Sequence, residues 1–414
     1  MGSQTPMETG DGRIRCVVEE QFTGTMSEKI RIGFVLPPGH WLGGKNYLRN
    51  LFAAIQAVPD HTITPVIFTG EHHEDLSDFH DIEVVTSSMF DHKTAARFAR
   101  RVLIKTASQD IPLWRLLKKH HISVLSHSFQ TGQSKTIKTV GWIPDLQHIH
   151  LPKFFTPEER TRRDRDFMSA CEHCDAVVVS SKCAAGDLIS FAPQYAHKVR
   201  LLRFVATPVP LANAASLEDL RQIYNFAEPF FLLPNQFWAH KNHRVVISAL
   251  HQLKLQDKKF LVLATGSSSD YRNPAFFPSL MQYAEQCDVL DRFRVLGQIP
   301  FHHLAGLMQH ATAFINPSLF EGWSTSVEEA KSMGKQVLLS DIPVHREQAP
   351  ERGIFFSPEN PDELAAAMIA ANDGFDIHQD ADMQTRAMAR FPARQREFGE
   401  AYQTIVNKLV PSTK

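Results

Sequence analysis

The sequence lacks any long apolar run. No stretch approaches the roughly 20 apolar residues that a bilayer-spanning helix requires, so nothing reads as a membrane span. Cysteine is scarce: Cys16, Cys171, Cys174, Cys183 and Cys287 are the five in 414 residues. So odd and sparse a set excludes a disulfide-framed scaffold. Cys171-Glu172-His173-Cys174 has a CxxC spacing, but no second pair follows at zinc-ribbon distance, and the thiols read as buried groups of a reducing compartment. An excess of either charge is missing too, since 44 Lys and Arg face 45 Asp and Glu for a net charge of −1. A balanced chain has no global attraction to nucleic acid or anionic lipid, so no nucleic-acid partner is expected and any membrane contact must come from a local patch. The first 28 residues lack the apolar core of a signal peptide and read as a disordered leader. A cytoplasmic location is the expectation.

What the sequence does have is a repeated rhythm of short apolar run, Gly- or Ser-rich turn and amphipathic stretch. At this length one hydrophobic core does not suffice, and two α/β domains are expected. Strands are predicted at 30–36, 65–68, 83–86, 123–126, 140–143, 176–180 and 200–204. After a pause they resume at 230–234, 260–265, 293–297, 313–316, 337–340 and 354–356. Helices between them, such as 46–58, 93–107, 158–172, 243–256 and 326–333, argue for parallel sheets covered on both faces. The boundaries read as 29–207 for a first Rossmann-like domain, 208–228 for a linker and 229–390 for a second. In 391–414 a final helix begins at Ala393 and crosses back to the first domain. Ligands of such sheets sit beyond the carboxyl ends of the strands, which places the site in the cleft between the domains.

The segment Ala313–Asp341 carries the chemistry. It reads strand, tight loop, helix, glycine stop and strand, with Gly334 where a left-handed helix terminus is needed. Glu321 lies in the loop and Glu329 about one turn into the helix. Between them, Gly322, Trp323, Ser324, Thr325 and Ser326 offer backbone N–H groups and hydroxyls at a helix N-terminus, which suits a phosphate. Glu328 faces away from Glu329 and is expected on the solvated surface.

The frame Pro317-Ser318-x-x-Glu321-Gly322, then Glu329-Ala330 and Gly334, resembles glycosyltransferase family 4, retaining enzymes of the group 1, glycogen-synthase type. The resemblance spans roughly residues 29–410 and is strongest from 230 to 350. It implies the GT-B architecture, with two doubly wound domains facing a central cleft. It also implies a nucleotide-diphosphate sugar as co-substrate, no other cofactor and no metal ligands, and a glycan or lipid-linked acceptor. Glu321 would contact the donor sugar and Glu329 the nucleotide ribose. Lys241, before the helix that follows the strand at 230–234, would hold the donor diphosphate. Asn235-Gln236 replaces the family's usual Gly-Arg pair, which removes one cation. Leu296 and Gly297 would lie against the nucleobase. Gly43 and Gly44, in the loop 37–45, would approach the diphosphate and the acceptor. His148 and then Asp145, past a first-domain strand, match residues near the donor sugar, and His127 is a comparable candidate. Two other readings stay open: a hydrolase or epimerase of nucleotide sugars on the same fold, and a silent nucleotide-binding subunit.

Arg97, Arg100, Arg101 and Lys105, with Phe98, Val102 and Leu103 between them, form a basic amphipathic stretch. Its ordinary reading places the apolar face on the sheet and the charges in water. The alternative is a peripheral contact with the inner face of an anionic membrane.

Overall fold

The computed structural model describes residues 29–36, 42–73, 76–107, 109–128, 134 and 136–410. Seven strands form the first sheet: β1 (Ile30–Val35), β2 (Ile63–Thr69), β3 (Glu83–Thr86), β4 (Val124–Ser126), β5 (Lys138–Trp142), β6 (Ala176–Val179) and β7 (Val199–Leu201). Their order is β3-β2-β1-β4-β5-β6-β7. Six form the second: β8 (Phe230–Pro234), β9 (Leu261–Thr265), β10 (Phe293–Gly297), β11 (Ala313–Asn316), β12 (Val337–Ser340) and β13 (Gly353–Phe356). Their order is β10-β9-β8-β11-β12-β13. Every pairing is parallel. Central strands such as β6 and β9 are buried along their whole length, as expected where helices cover both faces.

Each order reverses once, between β1 and β4 in the first sheet and between β8 and β11 in the second. At such a switch the flanking helices run to opposite faces and leave a crevice beyond the carboxyl ends of the strands. The loops that carry the motifs leave β1, β8 and β11, so the topology places them at these two crevices.

The last helix runs from Ile377 to Leu409, with Pro392 inside it. The sequence reading starts it after that proline, where a lost N–H should break it. The helix continues because it is held on both sides of Pro392. Its first turn packs on the second domain, where Asp380 pairs with buried Lys335 at 2.6 Å and with Arg352 at 2.6 Å. Its last turns enter the first core through Phe398, Tyr402, Ile405 and Val406. A Cβ at Gly399 would overlap the Ala54 carbonyl, so glycine lets it lie directly on the helix Leu42–Gln56. The segment 208–228 is not all linker: Leu217–Tyr224 is a helix whose Leu220 is buried in the second core. Cys171, Cys174 and Cys287 are buried and Cys183 half-buried, all as free thiols, while Cys16 lies outside the described residues. No helix among the described residues is long and apolar enough to cross a membrane.

Candidate active site

The two loops at the second switch point are tied together by hydrogen bonds and an ion pair. After β8 the chain makes a short turn, Ala239–Lys241, and Asn242 adopts a left-handed conformation at φ 54°. That turn aims the Asn242 amide at the Pro317 and Pro358 carbonyls, at 3.1 and 2.8 Å. The Leu319 N–H donates to the His240 carbonyl at 2.8 Å. The result brings Lys241 Nζ to 2.6 Å from Glu321 Oε1, with the Ser318 hydroxyl 2.6 Å from the same oxygen. Burial works to raise the Glu321 pKa, but the Lys241 ammonium and the Ser318 hydroxyl outweigh it and hold the carboxyl below the usual range. A charged Lys–Glu pair at the floor of a crevice supplies a cation for an anionic group and an acceptor for hydroxyls.

Glu329 lies on the helix Thr325–Ser332 that follows the loop. Burial pushes its pKa up to about 7, offset in part by Arg49 of the first domain. A half-buried carboxyl with that pKa, near a cationic side chain of the other domain, is suited to accept from hydroxyl groups.

On the loop after β8, Asn235 Nδ2, Trp238 Nε1 and His240 Nδ1 are buried without a protein hydrogen-bond partner. Buried polar atoms normally have partners, so three on this one loop make it a candidate for ligand contact. The sequence reading includes Asn235 and Gln236 but names neither Trp238 nor His240. Gln236 accepts from the Trp238 N–H at 2.8 Å through its carbonyl, which shapes that turn.

Elsewhere the structure redistributes roles. The Ser324 and Ser326 hydroxyls do not line a phosphate cradle: both bond Asn316 Nδ2, at 2.7 and 3.1 Å, and the Ser324 N–H donates to the Gln348 side chain. Thr325 is half-buried at the helix start. Trp323 serves domain contact, its Nε1 donating to the Phe204 carbonyl at 3.0 Å. A Cβ on Gly322 would overlap the Pro144 carbonyl oxygen, so only glycine permits that close approach of the two domains. Glu328 is not solvated: it is 1 % exposed and bonds Lys331, Gln348 and Arg394. The short helix Pro343–Gln348 and the crossing helix cover the face that the sequence reading left to water. Gly297 ends β10 at φ 70°, a conformation that favours glycine, with no atom within 4 Å of a built Cβ; Leu296 packs beneath it.

In the first domain the helix after β1 begins at Leu42, so Gly43 and Gly44 form its first turn rather than part of a loop. The remainder of that loop, 37–41, lies outside the described residues. His148 is 2 % exposed and its ring is engaged by Asp164 at 2.9 Å and Arg163 at 3.3 Å, all within the first domain. Burial and Arg163 hold its pKa low. Asp145 caps the turn at Gln147 and pairs with Arg163 at 2.6 Å, beside Gly322. His127 sits among Phe34, Tyr47 and Trp142 with its pKa pushed down to about 3 by burial, and bonds the Tyr47 hydroxyl at 2.9 Å. These histidines are framework groups. Pro144, Asp145 and His150 of this stretch touch the motif loop, His150 stacked on Phe320 at 5.0 Å.

Residues 218–386 match the family described as glycosyl transferases group 1. That match covers the second domain and less than half of the chain. The matched region contains Lys241, Glu321 and Glu329. Over 92 % of this chain the GT-B fold is shared with Anabaena HepE in complex with UDP and glucose, at a TM-score of 0.65 and 16 % identity over 100 % of that chain. Among curated relatives, the O-antigen chain mannosyltransferase of Salmonella typhimurium is 26 % identical over 32 % of this chain, a match that spans only 35 % of that relative. The GDP-mannose:cellobiosyl-diphosphopolyprenol alpha-mannosyltransferase of Komagataeibacter xylinus is 23 % identical over 72 % of this chain and 68 % of its own.

Proposed function

We propose that this protein is a retaining glycosyltransferase that moves a hexosyl group from a nucleotide-diphosphate sugar to a hydroxyl of a glycan or lipid-linked acceptor, with no metal required. The observation that carries the reading is the Lys241–Glu321 pair at the β8/β11 switch point, with Glu329 one turn into the adjoining helix. The bond from the anomeric carbon to the diphosphate oxygen breaks as the acceptor oxygen bonds that carbon from the same face, and the acceptor proton passes to the departing diphosphate. Lys241 and the N–H groups at the start of the helix Thr325–Ser332 stabilise the charge that develops on the diphosphate. Glu321 orients the sugar through its hydroxyls, and Glu329 accepts from the ribose diol. The relatives' names support hexosyl transfer and a diphospholipid-linked acceptor.

Peripheral contact with an anionic membrane belongs to the same reading. The helix Ala95–Ala107 has no buried residue, and Phe98 is 72 % exposed. Phe98, Val102 and Leu103 face out while Arg100 turns inward to Asp110, the reverse of the ordinary amphipathic arrangement. Apolar side chains flanked by Arg97, Arg101 and Lys105 suit the headgroup boundary, where each basic residue contributes about 1 kcal/mol.

A thermal-shift panel of nucleoside diphosphates and nucleotide sugars, including GDP-mannose and UDP-glucose, tests the donor assignment. One nucleoside diphosphate and its sugar conjugate should raise the melting temperature in excess chelator. No shift with any of them, or a shift that requires added divalent metal, contradicts it.

A further inference from the structure

A second cavity lies away from the crevice, between the second domain and the crossing helix. It encloses about 170 Å³ and is lined by Lys331, Lys335, Arg352, Arg390 and Arg394, with Glu351 the acid at its wall. Two further carboxylates border this charge cluster. Asp380 pairs with Lys335 and Arg352, and Glu328 pairs with Lys331 and Arg394, while Glu351 pairs with Arg390 at 2.7 Å. Five cations therefore share three carboxylates, which leaves two positive charges in excess around a partly enclosed space. Lys335 is fully buried, so part of that excess is poorly screened. Guanidinium forks and ammonium groups converging on one small space match the oxygens of a phosphate. The volume lies well below the roughly 300 Å³ at which drug-sized ligand sites begin, and suits a phosphate ion or the head of a phosphate monoester.

We propose that this cavity binds a phosphate-bearing anion and that the bound anion weakens the grip of the donor site on its nucleotide. The coupling part rests on the reading of Glu329 given above. Lys331 and Arg394 reach both the cavity and Glu328, and Glu328 immediately precedes Glu329 on the helix Thr325–Ser332. An anion that draws these two cations leaves Glu328 with the Gln348 amide, 3.1 Å away, as its remaining bond, and that helix loses its brace. Arg390 and Arg394 flank Pro392 on the helix that joins the domains, so the same event is felt at the crossing.

Calorimetric titration in chloride buffer, with inorganic phosphate, diphosphate and a hexose 6-phosphate in separate arms, decides it. Arg390 is the probe because its side chain is 62 % exposed and Arg390→Glu should fold. At least one of the three anions should bind, with affinity at least about tenfold lower in Arg390→Glu and little changed in Lys241→Ala. No binding of any anion, or binding lost in Lys241→Ala and kept in Arg390→Glu, overturns the site. Nucleoside diphosphate affinity should then fall about fivefold when that anion is saturating, at the lower end of usual allosteric couplings, and Arg390→Glu should abolish the effect. An unchanged affinity overturns the coupling. Anion binding through Arg390 in a protein that takes no nucleoside diphosphate contradicts the donor reading and leaves the cavity site standing.

Discussion

Glu321 and Glu329 are eight positions apart and live in different electrostatic worlds. Glu321 is held ionised by Lys241 and Ser318, whereas burial pushes Glu329 up to about 7 from an ordinary 4.5. A ribose diol donates to a carboxylate, so nucleotide binding favours the ionised form of Glu329 and releases its proton. Nucleoside diphosphate affinity should therefore tighten as pH rises toward 7, by up to about tenfold per unit, and level off above. Glu329→Gln should flatten that profile, which titration calorimetry at several pH values reads directly. The linked stability runs the other way: the folded pKa lies above the unfolded one, so the ligand-free protein binds the extra proton, and this contribution is full below 4.5 and lost as pH rises through 7. Glu321→Gln should leave nucleoside diphosphate affinity within about threefold and lower turnover by about 100-fold or more, as removal of a group that acts on the reacting sugar does. Equal loss of nucleotide affinity in both variants contradicts the division of roles.

Elements position these residues, and here the sequence was informative unevenly. The strands of the second domain were legible almost residue by residue, because short apolar runs between glycine and proline punctuation leave few alternatives. The motif frame around Glu321 and Lys241 was legible because those groups come from two adjacent loops. Glu328 was not, since its burial comes from Arg394 and Gln348, distant in sequence. His148 was misleading for the same reason: Arg163 and Asp164 approach from the next helix. The outward apolar face of Ala95–Ala107 could not be read either, because periodicity gives the stripe without its direction. That helix makes a distinct prediction. The protein should co-sediment with anionic vesicles at low salt, and Phe98→Asp combined with Arg101→Glu should abolish binding while sparing the nucleoside diphosphate affinity. No sedimentation of the unaltered protein sinks the membrane contact. Gly322 gives another. Alanine there meets the Pro144 carbonyl and must push the two domains apart, so Gly322→Ala should cost about 1–3 kcal/mol in denaturant unfolding and lower turnover more than nucleotide affinity.

At the scale of the whole molecule, two sheets reverse their strand order at matching places, and one long helix ties their outer surfaces together. The cleft between them presents Lys241, Glu321 and Glu329 from the second domain toward Arg49 and the Asp145 loop of the first. In the proposed reaction one wall would hold the donor and the other would face the acceptor. The most direct test is to incubate the protein, in excess chelator, with the nucleotide sugar that stabilises it and a panel of glycan and polyprenyl-diphosphate-linked acceptors. Glycosylated acceptor is followed by mass spectrometry and its anomeric configuration by NMR. The account predicts acceptor-dependent release of nucleoside diphosphate, a product that keeps the donor's anomeric configuration, and loss of both in Glu321→Gln and Lys241→Ala. Nucleoside diphosphate released equally without acceptor, or an inverted product, contradicts it.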